Sequence, residues 1–382
     1  MQQAADILVA RALRGGRAEW PVTDDAADFE NTVIVRAGYH GVVGLLNAET
    51  DAIALWPQKL RSALRSRALA AATWEMRHRS YLLEVTDRLA ERHISAVILK
   101  GTALAYDLYA EPALRTRSDT DLLVEKSDVD AARRELAALG FAPANSPDNL
   151  FGEIHLQESW RRVCPSGTEH HIDLHWQAMN AAALEGVLTF ADCLVDPVRL
   201  PRLGPAAVAM SHPAMLLHAC LHRASHLSAP YLFDGVAYFG GDRLIWLYDV
   251  RLLADAMTDA EWQAFLGLVL ERGAAEVCLQ CLLLAVDRLD AQVPAEIQSL
   301  LAALPSAGKA DRYLLNMRRL ERGIANIKAA KGFKAKFSQV AVRAFPSAQF
   351  MRGKYPDSGR TPLLLLYIRR ILSGLTGKIW AR

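Results

Sequence analysis

Asp119 and Asp121 are the residues whose type and spacing most directly point to chemistry. They stand two apart in residues 119–125, DTDLLVE, a run that alternates and then turns apolar. Side chains on a strand repeat every second residue, so both carboxylates would project from one face. Side by side they repel unless a cation lies between them. Oxygen donors of this kind suit Mg²⁺, which takes one or two carboxylates together with substrate phosphates and waters. A third carboxylate, Asp173, lies in another alternating run, residues 169–176, EHHIDLHW. With it the set would hold two metal ions about 4 Å apart, clamping the attacking and leaving oxygens of a phosphoryl-type transfer.

The elements that must position these groups begin upstream. Residues 95–101, SAVILKG, form a short apolar, β-branched run closed by glycine, which predicts a buried strand. A helix is expected over 102–109. Gly101 would let backbone approach a phosphate closely, and the first amides of the helix opened by Thr102 favour anions. Asp-x-Asp at a strand start is common, and strand–Gly-Thr–helix is weak by itself. The ordered combination with a later strand aspartate is far more specific.

Residues 1–93 read mainly as helix, most clearly over 68–93, where Leu82, Val85 and Leu89 keep helical spacing. Residues 110–118 form a loop with Pro112. Residues 128–139 read as a helix with Gly140 as its C-cap. Residues 141–168 include loops, marked by Pro143, Pro147 and Pro165. Beyond about residue 205 the chain reads as helical. Ser211 can cap a helix with Pro213 in its first turn, and further helices fit 243–257, 259–272 and 274–289. A small-residue break at 305–308 precedes a basic segment.

These residues carry a resemblance. The chain is similar to the nucleotidyltransferase superfamily of the DNA polymerase beta type. More closely, it resembles a family of bacterial uncharacterised nucleotidyltransferases. The matching features are Leu99-Lys100-Gly101, Tyr106 and Tyr109, Pro112, Arg115, Asp119-Thr-Asp121-Leu-Leu-Val, and Asp173-Leu-His175-Trp176. Downstream, Leu217-His218, His222, His226, the run Trp246-Leu-Tyr-Asp249, and the run from Phe345 to Met351 with Tyr355 extend it over most of the chain. Thr102 stands where the wider superfamily usually has Ser. The 16 residues between Thr102 and Asp119 exceed that superfamily's usual spacer and agree with the narrower family.

The resemblance implies an α+β fold, a small mixed-sheet nucleotidyltransferase core embedded in a mostly helical protein. Residues 1–93 would be an N-terminal helical region, 94–178 the core, 205–304 a helical domain closing the cleft, and 309–382 a basic C-terminal helical segment. It also implies that Asp119 and Asp121 bind the Mg²⁺ that carries the triphosphate. Asp173 would hold a second Mg²⁺ and help deprotonate an acceptor hydroxyl. Gly101 and Thr102 would hold phosphate, with Lys100 and Arg115 neutralising charge nearby. The substrate would be a nucleoside triphosphate, ATP first, and pyrophosphate would leave. Arg117 ranks lower, as a solvated loop charge.

Other features are weighed against plainer roles. His218, His222 and His226 are spaced four apart and share a helix face, drifting about 40° per step. They are expected to face the cleft or to bridge helices rather than to bind zinc, since no HExxH arrangement is present. Arg223 beside them is an equally good anion contact. His175 shares the face of Asp173, so it is expected to support the carboxylates. Asp249 would orient a cleft residue or close a packing network. Cys278-x-x-Cys281 sits in an apolar run and reads as core.

The composition sets limits. The 44 basic and 42 acidic residues of this 382-residue chain give a net charge of +2, and 52% of residues are hydrophobic, a globular balance. No run reaches the roughly 18 apolar residues of a transmembrane helix. Five scattered cysteines argue for a reducing compartment, and a bacterial cytoplasmic protein is expected. Charge is uneven: residues 309–382 hold 17 Lys/Arg against three acids, a net +14, leaving −12 on the rest. The segment is expected to pair with the acidic body, although 363–380 also fits a basic amphipathic helix lying on a membrane surface. The expected partners are a nucleotide and a small-molecule or protein acceptor. Nucleic acid ranks below them, for lack of an aromatic-interleaved basic groove. The alternative reading is a non-catalytic binding or regulatory protein with this fold, antitoxin-like or a partner in a biosynthetic complex.

Overall fold

The computed structural model describes residues 1–22, 25–144, 156–227, 231–233, 236–238, 241–304 and 308–333, with 336–337, 340, 348, 351–352, 355 and 361–375. Pro147, most of the break at 305–308, residues 345–347 and 349–350 of the Phe345 run, and Gly377 and Lys378 of the amphipathic segment lie outside the described residues.

Helices α1 (Gln2–Leu13), α2 (Ala26–His40), α3 (Val43–Ala48) and α4 (Gln58–Glu91) precede the first strand. Asp25 caps α2 by accepting from Asp28 N, and Gly41 ends it at φ +71°. That left-handed turn favours glycine. A Cβ there would also meet the Arg243 guanidinium at 2.8 Å.

The core follows as β1 (Ala96–Ile98), α5 (Lys100–Asp107), β2 (Asp119–Val124), α6 (Val129–Ala138), β3 (Ala142–Pro143), β4 (Gln157–Val163) and β5 (Glu169–His175). Then come α7 (Phe190–Cys193), β6 (Val198–Arg199), β7 (Val208–Ala209) and α8 (His212–Leu227). A separate hairpin pairs β8 (Tyr231–Phe233) with β9 (Val236–Tyr238), and α9 (Leu244–Ala256), α10 (Asp259–Arg272), α11 (Ala275–Leu289) and α12 (Ala295–Ala303) complete the helical part. Further helix is described at Arg319–Ala329 and Leu363–Leu375.

The fold is therefore α+β, with a mixed sheet of seven strands in the order β3-β4-β5-β2-β1-β7-β6. β2 is its pivot, antiparallel to β1 and parallel to β5. Val97, Ile98 and Leu99, with Leu122, Leu123, Ile172 and Leu174, are essentially fully buried, so burial on both faces fixes the middle of the sheet.

Two elements differ from expectation. Helix α5 starts at Lys100, so Gly101 lies inside its first turn rather than closing β1. Lys100 begins the helix at φ +52°, a left-handed conformation that costs a non-glycine residue on the order of 1–2 kcal/mol. Strand β4 lies within 141–168, a stretch expected to include loops and in which no strand was expected. Its side chains alternate only weakly in polarity, and its partner β5, not its own pattern, makes it a strand.

Candidate metal and nucleotide site

The parallel pairing of β2 with β5 sets Asp121 directly beside Asp173 and Leu123 beside His175. Alternation then puts Asp119, Asp121, Asp173 and His175 on one face of the sheet. Three of these groups, Asp121, Asp173 and His175, have ligand atoms within 4.8 Å of one another, the spacing a metal ion requires. Asp119, Asp121 and Asp173 line a cleft of about 630 Å³, together with Lys100, Arg115, His222, His226 and Arg243.

Each carboxylate is individually held. The Asp121 Oδ1 atom accepts from Lys100 Nζ at 2.6 Å and contacts His175 Nε2 at 2.8 Å. Asp173 accepts from Ser159 Oγ and, at 3.1 Å, from Gln157 Nε2, both on β4. The electrostatics are those of crowded like charges. Burial raises Asp119, and the charges of Asp121 and Asp173 add to it, pushing it up to about 7. Burial also raises Asp173, with Asp121 behind it. Asp121 moves the other way. Burial would raise it, but Lys100 and His175 outweigh burial and hold it well below the usual carboxylate range. Burial alone would lower Lys100, yet Asp121 more than offsets this and keeps the ammonium above its ordinary value.

A divalent cation fits this donor set. Three facing carboxylates with one resident ammonium leave a deficit of positive charge, and two half-buried carboxylates that resist ionisation are what a cation would relieve. His175 is fully buried and its Nδ1 has no hydrogen-bond partner among the described residues. Its Nε2 lies against Asp121, on the face that strand alternation gives it.

Other expected site residues have different partners. Arg115 lines the cleft, but its Nε and a terminal nitrogen pair with both oxygens of Asp249 at 2.7–3.1 Å. Tyr109 donates to the same carboxylate at 2.7 Å. Asp249 thus holds Arg115, and through it the loop before β2, against α9. Gly101 is required by this arrangement, because a Cβ there would lie 2.8 Å from Arg115 Cζ. Thr102 is buried, and its hydroxyl shares a 2.9 Å bond with Thr120 on the opposite face of β2. Both residues border the cleft, but the packing reasons for them are structural.

Two assignments are corrected. Arg117 is not a solvated loop charge. Its side chain is 4% exposed and pairs with Glu75 of α4 at 2.7 Å, since that buried acid needs a cation. Arg223 is turned away from the cleft, with two nitrogens on Asp242 at 2.6 and 2.8 Å. A helix places residue 223 about 100° from residue 222, so one lines the cleft and the other does not.

His218, His222 and His226 do share a face and form a wall. They border an adjoining chamber of about 320 Å³ with Ala178, Leu184 and Tyr313, and His222 and His226 also border the main cleft. Burial, with Lys100 nearby, pushes His218 and His226 down to about 4 and lowers His222 as well. They are uncharged at neutral pH. Ser159, Gln157 and Arg243 were not anticipated. The first two alternate along β4, but only its pairing with β5 brings them to Asp173. Arg243 stacks over Trp246 and donates to Tyr39 O at 2.6 Å.

The mixed sheet thus presents three carboxylates to the cleft, an arrangement able to hold a divalent cation. The chain belongs to a protein family described as uncharacterised nucleotidyltransferase, whose model matches residues 30–290. That span holds every carboxylate of the cluster and the histidine wall, and it supports a transferase activity in general. No curated protein matches the chain in sequence. Among the described residues, no helix is long and apolar enough to cross a membrane.

Proposed function

We propose that the protein is a Mg²⁺-dependent nucleotidyltransferase that moves a nucleoside monophosphate, from ATP first, to a hydroxyl acceptor and releases pyrophosphate. The observation that carries this reading is the register of Asp121 beside Asp173 in the lining of a cleft large enough for a nucleotide. Asp119, Asp121 and Asp173 would hold the metal, which when bound supplies charge neutralisation for the phosphates and for the developing oxyanion.

The chain's own residues do the rest. His175 and Lys100 fix Asp121, and Ser159 and Gln157 fix Asp173, so the donors are oriented before substrate arrives. Lys100 and Arg243 add positive charge along the triphosphate path. Asp173, raised by burial and by Asp121, is suited to take the proton of the acceptor hydroxyl. The 320 Å³ chamber, bordered by uncharged histidines of α8 and apolar side chains together with Lys100 and Arg322, is the site for a compact acceptor.

The test is calorimetric titration of ATP, GTP, CTP and UTP with Mg²⁺ into the wild type and into the Asp119→Asn/Asp121→Asn double variant. Wild-type binding that the double variant lacks supports the reading and names the base. Folded wild-type protein that binds none of the four overturns it in favour of a non-catalytic binding protein.

A further inference from the structure

Lys100 stands apart in three ways. With His222, it borders the 630 Å³ cleft, the 320 Å³ chamber and a small slot lined by Arg115 and Asp249. It holds a left-handed backbone conformation at the first position of α5. Its ammonium sits 2.6 Å from Asp121 Oδ1, within the three-carboxylate cluster. We propose that Lys100 is a resident counter-cation that a divalent metal ion displaces, and that the released ammonium turns to the phosphates of the nucleotide. The inference rests on the metal reading given above and deepens it.

The physical reasons are charge and room. Asp121 Oδ1 already receives Lys100 and His175. A metal ion on either oxygen of Asp121 would set +2 against +1 across a single carboxylate, in a partly buried site where screening is weak. The ammonium can leave without being stranded, because its side chain is 21% exposed and open space adjoins it on several sides. A flexible four-carbon stem carrying a point charge suits such a move. The backbone of residue 100 aims the stem at Asp121 rather than at solvent, which makes the cluster stable before metal arrives. The consequence is that Lys100 competes with metal and then cooperates with nucleotide, so that the cleft takes up the two together.

The experiment uses Mn²⁺ as the probe, its binding to the full chain followed by electron paramagnetic resonance without nucleotide, in wild type and in Lys100→Met. Displacement predicts that the variant binds Mn²⁺ roughly tenfold or more tightly, a coupling of the usual size between linked sites. Equal or weaker binding by the variant overturns the proposal while leaving the metal site standing. Absence of Mn²⁺ binding by both chains overturns the proposal and the metal site together. A second readout needs no variant: labelling of Lys100 by an amine-reactive reagent, located by mass spectrometry, should rise at least severalfold when Mn²⁺ is added. Unchanged or reduced labelling in a wild type that binds Mn²⁺ speaks against displacement.

Discussion

The two faces of β2 carry opposite kinds of chemistry. On the cleft face, Asp119 and Asp121 meet Asp173, and the like charges are only partly offset by Lys100. On the reverse face, Thr120 bonds Thr102 at 2.9 Å and His78 of α4 at 2.8 Å, and His78 stacks with Trp74 and His170. There most polar groups are paired, although His170 Nε2 has no hydrogen-bond partner among the described residues, and His78 is uncharged, since burial, followed by the charge of Arg117, drives it well below its ordinary value. A single strand thus offers crowded like charges to the cleft and mostly paired, uncharged groups to the core. Sites of binding are expected to hold such unrelieved charge, because the ligand supplies what is missing.

The largest effect that would separate the faces is on the cleft side. Asp119→Asn should abolish metal-dependent turnover, by about 10²-fold or more, yet raise the melting temperature of the metal-free protein, because it removes a repelled carboxylate. Asp121→Asn should abolish turnover too but lower the melting temperature, because it strands Lys100. Equal shifts in both variants, read by thermal unfolding, would dissolve the contrast between the two carboxylates.

Next in size is the tie between cleft and helices. Asp249→Asn leaves the buried Arg115 guanidinium without its charge partner and should cost about 3–5 kcal/mol in denaturant unfolding. Acid should weaken the cleft wall. The pKa of His218 falls from 6.5 unfolded to about 4 folded, so its stability contribution is complete above 6.5 and is lost as pH falls towards 4. The loss is on the order of 3 kcal/mol. A His218→Gln chain should lose less stability than wild type across that window, measured by unfolding at stepped pH. On the reverse face, Thr120→Val should cost about 1–3 kcal/mol by leaving Thr102 and His78 short of a partner. Its Mg²⁺–nucleotide binding, measured by calorimetry, should match wild type. Loss of binding there would mean that the faces are coupled.

Much of this was legible beforehand. The helices at 244–256, 259–272 and 275–289 fall closely on the stretches expected at 243–257, 259–272 and 274–289. The shared face of Asp119 and Asp121 and the histidine wall follow from strand and helix periods alone. The partnerships of Arg115, Arg117 and Arg223 did not. An arginine in a loop or on a helix reads the same whether it faces water or a buried acid, and Asp249, Glu75 and Asp242 lie 134, 42 and 19 residues away in the chain.

The sequence by itself determined which residues can bind metal and which surfaces of each element they occupy, because periodicity is a local property of the backbone. Only the tertiary structure decided which of them meet. The parallel register of β2 and β5 sets Asp121 beside Asp173, the antiparallel β4 brings Ser159 and Gln157 to hold it, and the turn at Lys100 aims an ammonium at Asp121. Register and charge pairing are settled by burial across distant parts of the chain, where an unmatched charge or a one-residue slip costs more than any local preference returns.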